Sequence, residues 1–538
     1  MGLDNGSDNR LALVTPDEDL NKKQSLTIDQ VVDKIYQGPT IKLFLVFWTA
    51  VAVMYVTAAE TYITVFTGRI PYTEWTCVSD TCQSLYVAAN ISDSFYSETS
   101  MCDNELVAGT DFNWTSTRTT FSIDWGIYCG TESKLSLASS LFFIGALLGL
   151  LTSTAIFDKF GRRNGAIVGS FISASATLAG VWAPNYEVLL AIRIVQGYGQ
   201  YMSFTGVYCW ILEFAPSHLR CNINTITLFA WNLGFFLMVG LAYFITTWQY
   251  IFLAVAVINY VCIISLFIYP ISPRFALVQG RDEDAKKILQ SYSRIYGNEM
   301  SMESVDLVYK DRVQNFWEQI KDFKTHPAML KRTLLGCICW FMCGALFYGF
   351  SFGWSKIGSN IYTAYCFAAV GNTIAFAVMT PTCNLIGRKK SGLVFFGIVV
   401  LSNLLAMPDV NFSDKWTLNY VACLIGSISV LAAFLLMYLF TSELAPTSHR
   451  GMIMSLSSSC ARLGSFAGPY ISLLYKVTDR RVTAGVFGGM ALIGVAVVFF
   501  LPDTTGVRIP EVPGDLTSGT EYQKVENGTQ VPNHEEEA

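Results

Sequence analysis

Glu213-Phe214-Ala215-Pro216-Ser217-His218-Leu219-Arg220 is a phrase that this chain writes twice. The second copy is Glu443-Leu444-Ala445-Pro446-Thr447-Ser448-His449-Arg450. Both read Glu-x-Ala-Pro-x-x-x-Arg, and each closes a long apolar run. Another phrase, Gly161-Arg162-Arg163, returns as Gly387-Arg388-Lys389 at nearly the same offset and in the same order. One short phrase repeats easily by chance. Two phrases sharing one period mark two homologous halves.

Composition identifies the medium. The 538 residues are 52% hydrophobic and only 14% charged, with a mean hydropathy of +0.40. Soluble proteins carry about 25% charged residues, so much of this chain lies where charge is costly, in lipid. A net charge of −5 offers no basic surface for nucleic acid. Met1 to Gln37 is polar with scattered acids and bases, and no cleavable signal peptide is expected there.

A window of ~19 residues finds twelve apolar runs. They are Leu43–Phe66, Leu135–Phe157, Ala166–Trp182, Val188–Leu212, Ile226–Thr247 and Tyr250–Tyr269, then Leu334–Phe352, Ile361–Ile386, Leu393–Met407, Leu418–Phe440, Met454–Tyr475 and Val482–Leu501. In lipid each backbone polar group must be satisfied within its own segment, which makes the runs helices. The expected fold is an all-α membrane protein of twelve transmembrane helices in two pseudo-symmetric six-helix halves. Residues 43–270 and 334–501 form the halves, 1–42 an N-terminal segment, 271–333 a connection and 502–538 a tail. Lys159, Arg162, Arg163, Arg220, Arg388, Lys389, Lys390, Arg450 and the bases of the connection all fall on one side. The positive-inside rule makes that side, with both termini, cytoplasmic. Lys476, Arg480 and Arg481 are the exception.

The other side carries a long polar stretch, 67–134, between the first two runs. It holds Cys77, Cys82, Cys102 and Cys129, which suggest two disulfides with three possible pairings. Asn90 and Asn113 open glycosylation sequons there, and Asn411 opens a third on that side; the sequon at Asn527 falls on the cytoplasmic side and should be unused. A stretch of this size has little core, and it reads as a protective cover more than as a ligand-binding ectodomain. In the connection, Asp282-Glu283-Asp284 precede Lys286 and Lys287, as a helix dipole favours. Residues 510–538 have the composition of a disordered tail.

Charges inside the runs are few: Glu60, Arg193 and Arg462. Each costs about 2.5–3.5 kcal/mol at mid-membrane on insertion scales, which makes it a functional candidate. Arg193, near the end of its run, reads as part of a structural ion pair; Glu60 fits either role. Trp340 and Phe347 stand seven apart, as do Phe341 and Tyr348, so each pair shares a helix face. There is no Walker phrase. His218, His326, His449 and His534 show no metal-ligand spacing. An enzyme, a cofactor and a metal centre are therefore not expected, and no repeated polar lining suggests a channel.

Two six-helix halves joined by a long connection, with Asp158-Lys159-Phe160-Gly161-Arg162-Arg163 after the second helix, resemble the major facilitator superfamily. The two Glu-x-x-Pro phrases narrow this, together with Ser272-Pro273-Arg274, Leu501-Pro502-Asp503-Thr504, Gly280-Arg281-Asp282-Glu283-Asp284-Ala285 and the loop's closing Ile123-Asp124-Trp125-Gly126-Ile127-Tyr128-Cys129. As a set they resemble the organic ion transporters, the solute-carrier family of organic anion, organic cation and carnitine transporters. The resemblance implies alternating access in the plasma membrane, with a small charged organic solute held between the halves near the midplane. Its partners would be that solute, the bilayer, and a coupling ion or exchanged counter-solute.

The same resemblance assigns residues. Asp158, Arg162, Arg163, Glu213 and Arg220, with Arg388, Glu443 and Arg450 in the second copy, would form a cytoplasmic gate. Asn384 replaces the motif's acid, so the second copy should be weaker or work by hydrogen bonding alone. Arg462, Trp231, Trp340, Phe347, Tyr348, Phe434, Tyr438 and Glu60 would bind substrate. In the family, anion and carnitine transporters tend to carry arginine at the position of Arg462 and cation transporters aspartate. The anion transporters' basic residue on the eighth helix has no counterpart, since Ile361–Ile386 contains no Lys or Arg. The ranking is amphipathic organic anions first, carnitine-like zwitterions second and simple cations third. A receptor that keeps the pocket without turnover is the alternative of another class.

Overall fold

The computed structural model describes residues 24–26, 28–36, 40–71, 74–88, 102, 106, 108–216, 219–268, 271–296, 305–307, 316–357, 360–407, 418–446, 449–478 and 480–505. Twelve helices of 18 residues or more run through them. The first half comprises α1 (Thr40–Thr67), α2 (Ser133–Phe160), α3 (Arg162–Ala179), α4 (Tyr186–Glu213), α5 (Arg220–Phe244) and α6 (Trp248–Leu266). The second comprises α7 (Pro327–Ile357), α8 (Ile361–Ile386), α9 (Arg388–Ala406), α10 (Leu418–Leu444), α11 (Arg450–Val477) and α12 (Arg480–Phe500). Nine helices among the described residues are long and apolar enough to cross a membrane. The other three include α4 and α11, whose polar residues turn inward: Arg193, Gln196, Gln200 and Ser203 on one, Ser457, Arg462 and Ser465 on the other, all buried.

Within the first half α4 packs on α2 and α3, and α1 on α5 and α6; within the second α7 packs on α11, and α10 on α8 and α9. The halves meet along α2 with α11 and α5 with α8, contacts that exchange under the internal repeat. The repeated phrases have a common geometry. Gly161 ends α2 and Gly387 ends α8, each at φ +86°, a left-handed conformation that a Cβ disfavours. That turn reverses the chain into α3 and α9 within one residue. Close backbone approach sets α11 against α7: a Cβ on Gly464 would lie 2.1 Å from the Phe341 carbonyl oxygen, and one on Gly344 2.2 Å from that of Ala461.

The polar stretch between α1 and α2 is a small disulfide-tied cap. Trp75–Cys77 pairs antiparallel with Phe112–Trp114 over a core of Trp75, Cys82, Leu106 and Phe112. The bridges are Cys77–Cys82 and Cys102–Cys129, one of the three pairings left open by the sequence. Arg118 docks the cap on the first half. Its guanidinium donates to the carbonyls of Ala242 at 2.6 Å and Tyr243 at 2.7 Å at the end of α5, where the helix dipole favours a cation. Trp248 adds a hydrogen bond to Asp124 at 2.7 Å. Asn113 is exposed on its strand; Asn90, Asn411 and Asn527 lie outside the described residues.

Two boundaries differ from the sequence reading. Helix α7 begins at Pro327, inside the span assigned to the connection, because proline suits the first helical position and its missing N–H costs nothing there. The N-terminal segment is not separate from the connection either. Ile28–Ile35 buries Val31, Val32 and Ile35 against Ala276, Leu277, Ala285 and Leu289, and Gln24–Leu26 pairs parallel with Val305–Leu307. The connection itself divides. Tyr292 stacks on Phe214 of the first half at 4.1 Å. His449 Nε2, at the head of α11, faces Asp322 Oδ2 across 3.1 Å. Burial lowers the proton affinity of His449, and Asp322 opposes that shift.

Candidate functional site

Between the halves lies a cavity of about 50 Å³, walled by Tyr201 and Phe204 of α4, Leu228 and Trp231 of α5, Phe347 and Tyr348 of α7, Phe376 of α8, Leu431, Phe434, Leu435 and Tyr438 of α10, and Arg462 of α11. At about 10–15 Å³ per water, this is room for a few waters. Arg462 is the one charged residue among those lining it. Its side chain is buried, with the guanidinium 4.4 Å above the Tyr201 ring and Nη1 donating to the Tyr201 hydroxyl at 3.2 Å. That hydroxyl is 3.2 Å from the Tyr348 hydroxyl. The wall is continuous aromatic surface: Trp231 to Phe347 at 5.8 Å, Phe347 to Phe434 at 5.9 Å and Phe434 to Tyr438 at 5.9 Å. A lone cation in such a box attracts a desolvated anion strongly, while the rings accept an apolar or ammonium-bearing body.

Two of the residues assigned to substrate stand elsewhere. Trp340 lies behind the wall: fully buried, it packs edge-on to Tyr438 at 4.5 Å and donates to Thr441 at 2.8 Å. Glu60 is inside the first half. Its carboxylate accepts from Ser173 at 2.5 Å, Thr177 at 2.8 Å and Asn259 at 3.1 Å, which places it among α1, α3 and α6 and off the cavity wall. Arg193, also fully buried, donates to the main-chain oxygens of Glu60 at 2.8 Å and Ala138 at 3.2 Å and to Gln196, with its guanidinium over the Phe142 ring at 4.5 Å. These groups form the polar core of one half.

Sequence reasoning missed Tyr201 and Tyr62. Tyr201 is a tyrosine far from a helix end, the signal that had singled out other aromatics, whereas Tyr62 stands in the last two turns of α1, where that signal does not apply. Tyr62 packs on Phe235 at 4.4 Å, Phe352 at 5.3 Å and Tyr348 at 6.3 Å, closing the cavity toward the cap. On that side α2 and α11 are also joined, by Ser136 to the Pro469 carbonyl at 3.1 Å and Ser140 to that of Phe466 at 2.7 Å.

At the opposite end the repeated phrases form one ionic brace per half. Arg162 Nε meets Glu213 Oε1 at 3.1 Å. Arg388 grips Glu443 through Nε at 3.1 and 3.2 Å and Nη2 at 3.0 Å, and Thr504 donates to the same carboxylate at 2.5 Å. The second brace is thus the more connected; its acid comes from α10, and Asn384 is exposed and takes no part in it. Asp158 is exposed and makes no ion pair among the described residues. Arg163 instead donates to the carbonyls of Leu266 at 3.0 Å and Phe267 at 3.1 Å. Arg450 is half-buried, with Nε and Nη2 unbonded among the described residues; the Arg220 side chain lies outside them.

The chain matches the family model for the Major Facilitator Superfamily over residues 106–469. It is similar to solute carrier family 22 member 6 of Pseudopleuronectes americanus, 27% identical over 79% of this chain and 76% of that one. Organic cation/carnitine transporter 2 of Homo sapiens is 24% identical over 79% and 76%. Organic anion transporter 3 of Pongo abelii is 24% identical over 79% and 78%. Among solved structures, the inward open xylose transporter XylE of E. coli aligns with a TM-score of 0.59 over 86% of this chain and 97% of that one; at 16% identity it speaks to the fold alone.

Proposed function

We propose, for a chain that belongs to the Major Facilitator Superfamily and is a multi-pass membrane transporter, that its substrates are amphipathic organic anions carrying one carboxylate or sulfate group. One observation carries the reading: Arg462 is the single charge on an otherwise aromatic and aliphatic cavity wall. A guanidinium binds a carboxylate through two parallel hydrogen bonds, and poor hydration strengthens them. Relatives whose names specify anions and cation/carnitine keep a zwitterion as the second reading, its ammonium facing Trp231 or Tyr438. A simple cation would meet Arg462 with no acid on the wall.

The disulfide-tied cap faces outward, the braces and both termini face the cytoplasm, and the membrane is the plasma membrane. In this reading the structure is sealed outward by the Tyr62 cluster, and solute passes when the halves part at the braced end. An uptake panel of anions, cations and zwitterions, with membrane potential and pH varied separately, tests the substrate class and the driving ion or counter-solute. Preferred uptake of monoanions is expected; preferred uptake of simple cations would overturn the reading. Counterflow of labelled substrate in proteoliposomes excludes a receptor without turnover.

Two further results are expected. Asn90→Gln and Asn113→Gln each remove a glycan, seen as faster migration, whereas Asn527→Gln leaves migration unchanged; a shift for Asn527 would reverse the topology. Arg162→Ala, which opens the brace to Glu213, and Asp158→Asn lower the transport rate several-fold at nearly constant half-saturating concentration, because they bias conformations and not the cavity. Wild-type rates in both variants, at equal surface amounts, would remove these residues from the gate.

A further inference from the structure

The cap rides on the first half, and Arg118 carries it across to the second. While Nη1 and Nη2 donate to the Ala242 and Tyr243 carbonyls at the end of α5, the guanidinium stands over the ring of Tyr362, 5.1 Å from its centre. Tyr362 lies in the first turn of α8. Phe66 of α1 stacks on the same ring at 6.0 Å, and Tyr243 of α5 meets it edge-on at 5.7 Å. One aromatic side chain of the second half thus sits in a socket of Arg118, Phe66 and Tyr243, all from the first. A turn further along α8, Tyr365 packs in the same way without a cation, 5.1 Å from Phe66 and 6.1 Å from Tyr62. We infer that Tyr362 and Arg118 form the latch of an outer gate: the cap is a working part of the transporter, supplying a fixed cation that holds α8 against α1 and α5 while the outer side is sealed.

The cation is held before the ring arrives. Carbonyls at a helix end carry the negative pole of its dipole, and Arg118, bonded to them, has already lost its rotamer freedom. A ring attracts a cation within about 6 Å of its centre, and the two neighbouring rings add their own contacts. Arg118, Phe66 and Tyr243 move with one half and Tyr362 with the other. Parting the halves at the outer end therefore breaks all these contacts together. Interactions made in one conformation only shift the equilibrium toward it.

This inference rests on the outward-sealed reading above, and the test separates the two. Ser351 is buried on α7, and its carbonyl accepts from the Tyr365 hydroxyl at 2.8 Å, so Ser351→Cys reports on the seal. Its labelling by a membrane-impermeant methanethiosulfonate in intact cells is timed against Thr110→Cys on the exposed cap, with the unsubstituted chain as the blank. With Tyr362 intact, Ser351→Cys should label far more slowly than Thr110→Cys. Adding Tyr362→Leu should speed it about tenfold, the scale of a cation–ring and a ring–ring contact together. Tyr362→Phe, which keeps the ring, should leave it within about twofold. Arg118→Ala should speed it too, but that change also frees the cap from α5, so Tyr362→Leu is the deciding variant. Unchanged labelling in Tyr362→Leu, or Tyr362→Phe as fast as Tyr362→Leu, overturns the latch. Ser351→Cys that labels as fast as Thr110→Cys with Tyr362 intact overturns the outward-sealed reading instead.

Discussion

Arg462→Ala is expected to reach the cell surface in near wild-type amount and to lose uptake of carboxylated substrates by about two orders of magnitude. Truncating one partner of a buried, hydrogen-bonded charge pair costs about 2–5 kcal/mol, and each 1.4 kcal/mol is a factor of ten. Folding should survive, because the two tyrosine hydroxyls left behind, on Tyr201 and Tyr348, are already within 3.2 Å of each other. Arg462→Lys should restore little. It keeps the charge but replaces a planar fork with a compact ammonium that cannot meet two oxygens in one plane. Retained anion uptake in Arg462→Ala would make the arginine structural and end the assignment of substrate class.

The other buried arginine should behave in the opposite way. Arg193→Ala is expected to abolish folded protein, seen as loss of the monodisperse peak in size-exclusion chromatography. Its guanidinium satisfies main-chain oxygens of α1 and α2 and stands beside the Glu60 cluster. Breaking a buried ionic network by removing one member costs about 3–5 kcal/mol, against a total stability of about 5–15 kcal/mol for a typical protein. Arg193→Lys should recover only part of the yield, since one ammonium cannot span Glu60, Ala138 and Gln196 together. Folded Arg193→Ala that fails only in transport would place this polar core in the working cycle.

The contrast between the two arginines marks how far the sequence could be read. Hydropathy and the repeated phrases located the helices closely; Ile361–Ile386 is a run in the sequence and the same helix in the structure. They gave no way to orient a charge within a bundle. Glu60 and Arg462 each interrupt an apolar run, yet one faces its own half and the other the cavity. In lipid a helix can be polar toward either protein neighbour, so periodicity carries no address. Trp340 was misplaced for the same reason, one layer behind the wall. The docking of Ile28–Ile35 on residues 276–289 joins segments hundreds of positions apart, and no local pattern announces such a contact.

The divided connection has a mechanical consequence. One arm, ending near Tyr292, is pinned to the first half by Phe214; the other, bearing Asp322, is pinned to the second by His449. Val305–Leu307, which falls between those two pins in the sequence, is laced to Gln24–Leu26 from the N-terminal segment. A strand from the N-terminal segment is thus tied into the connection between its two anchor points, one on each half.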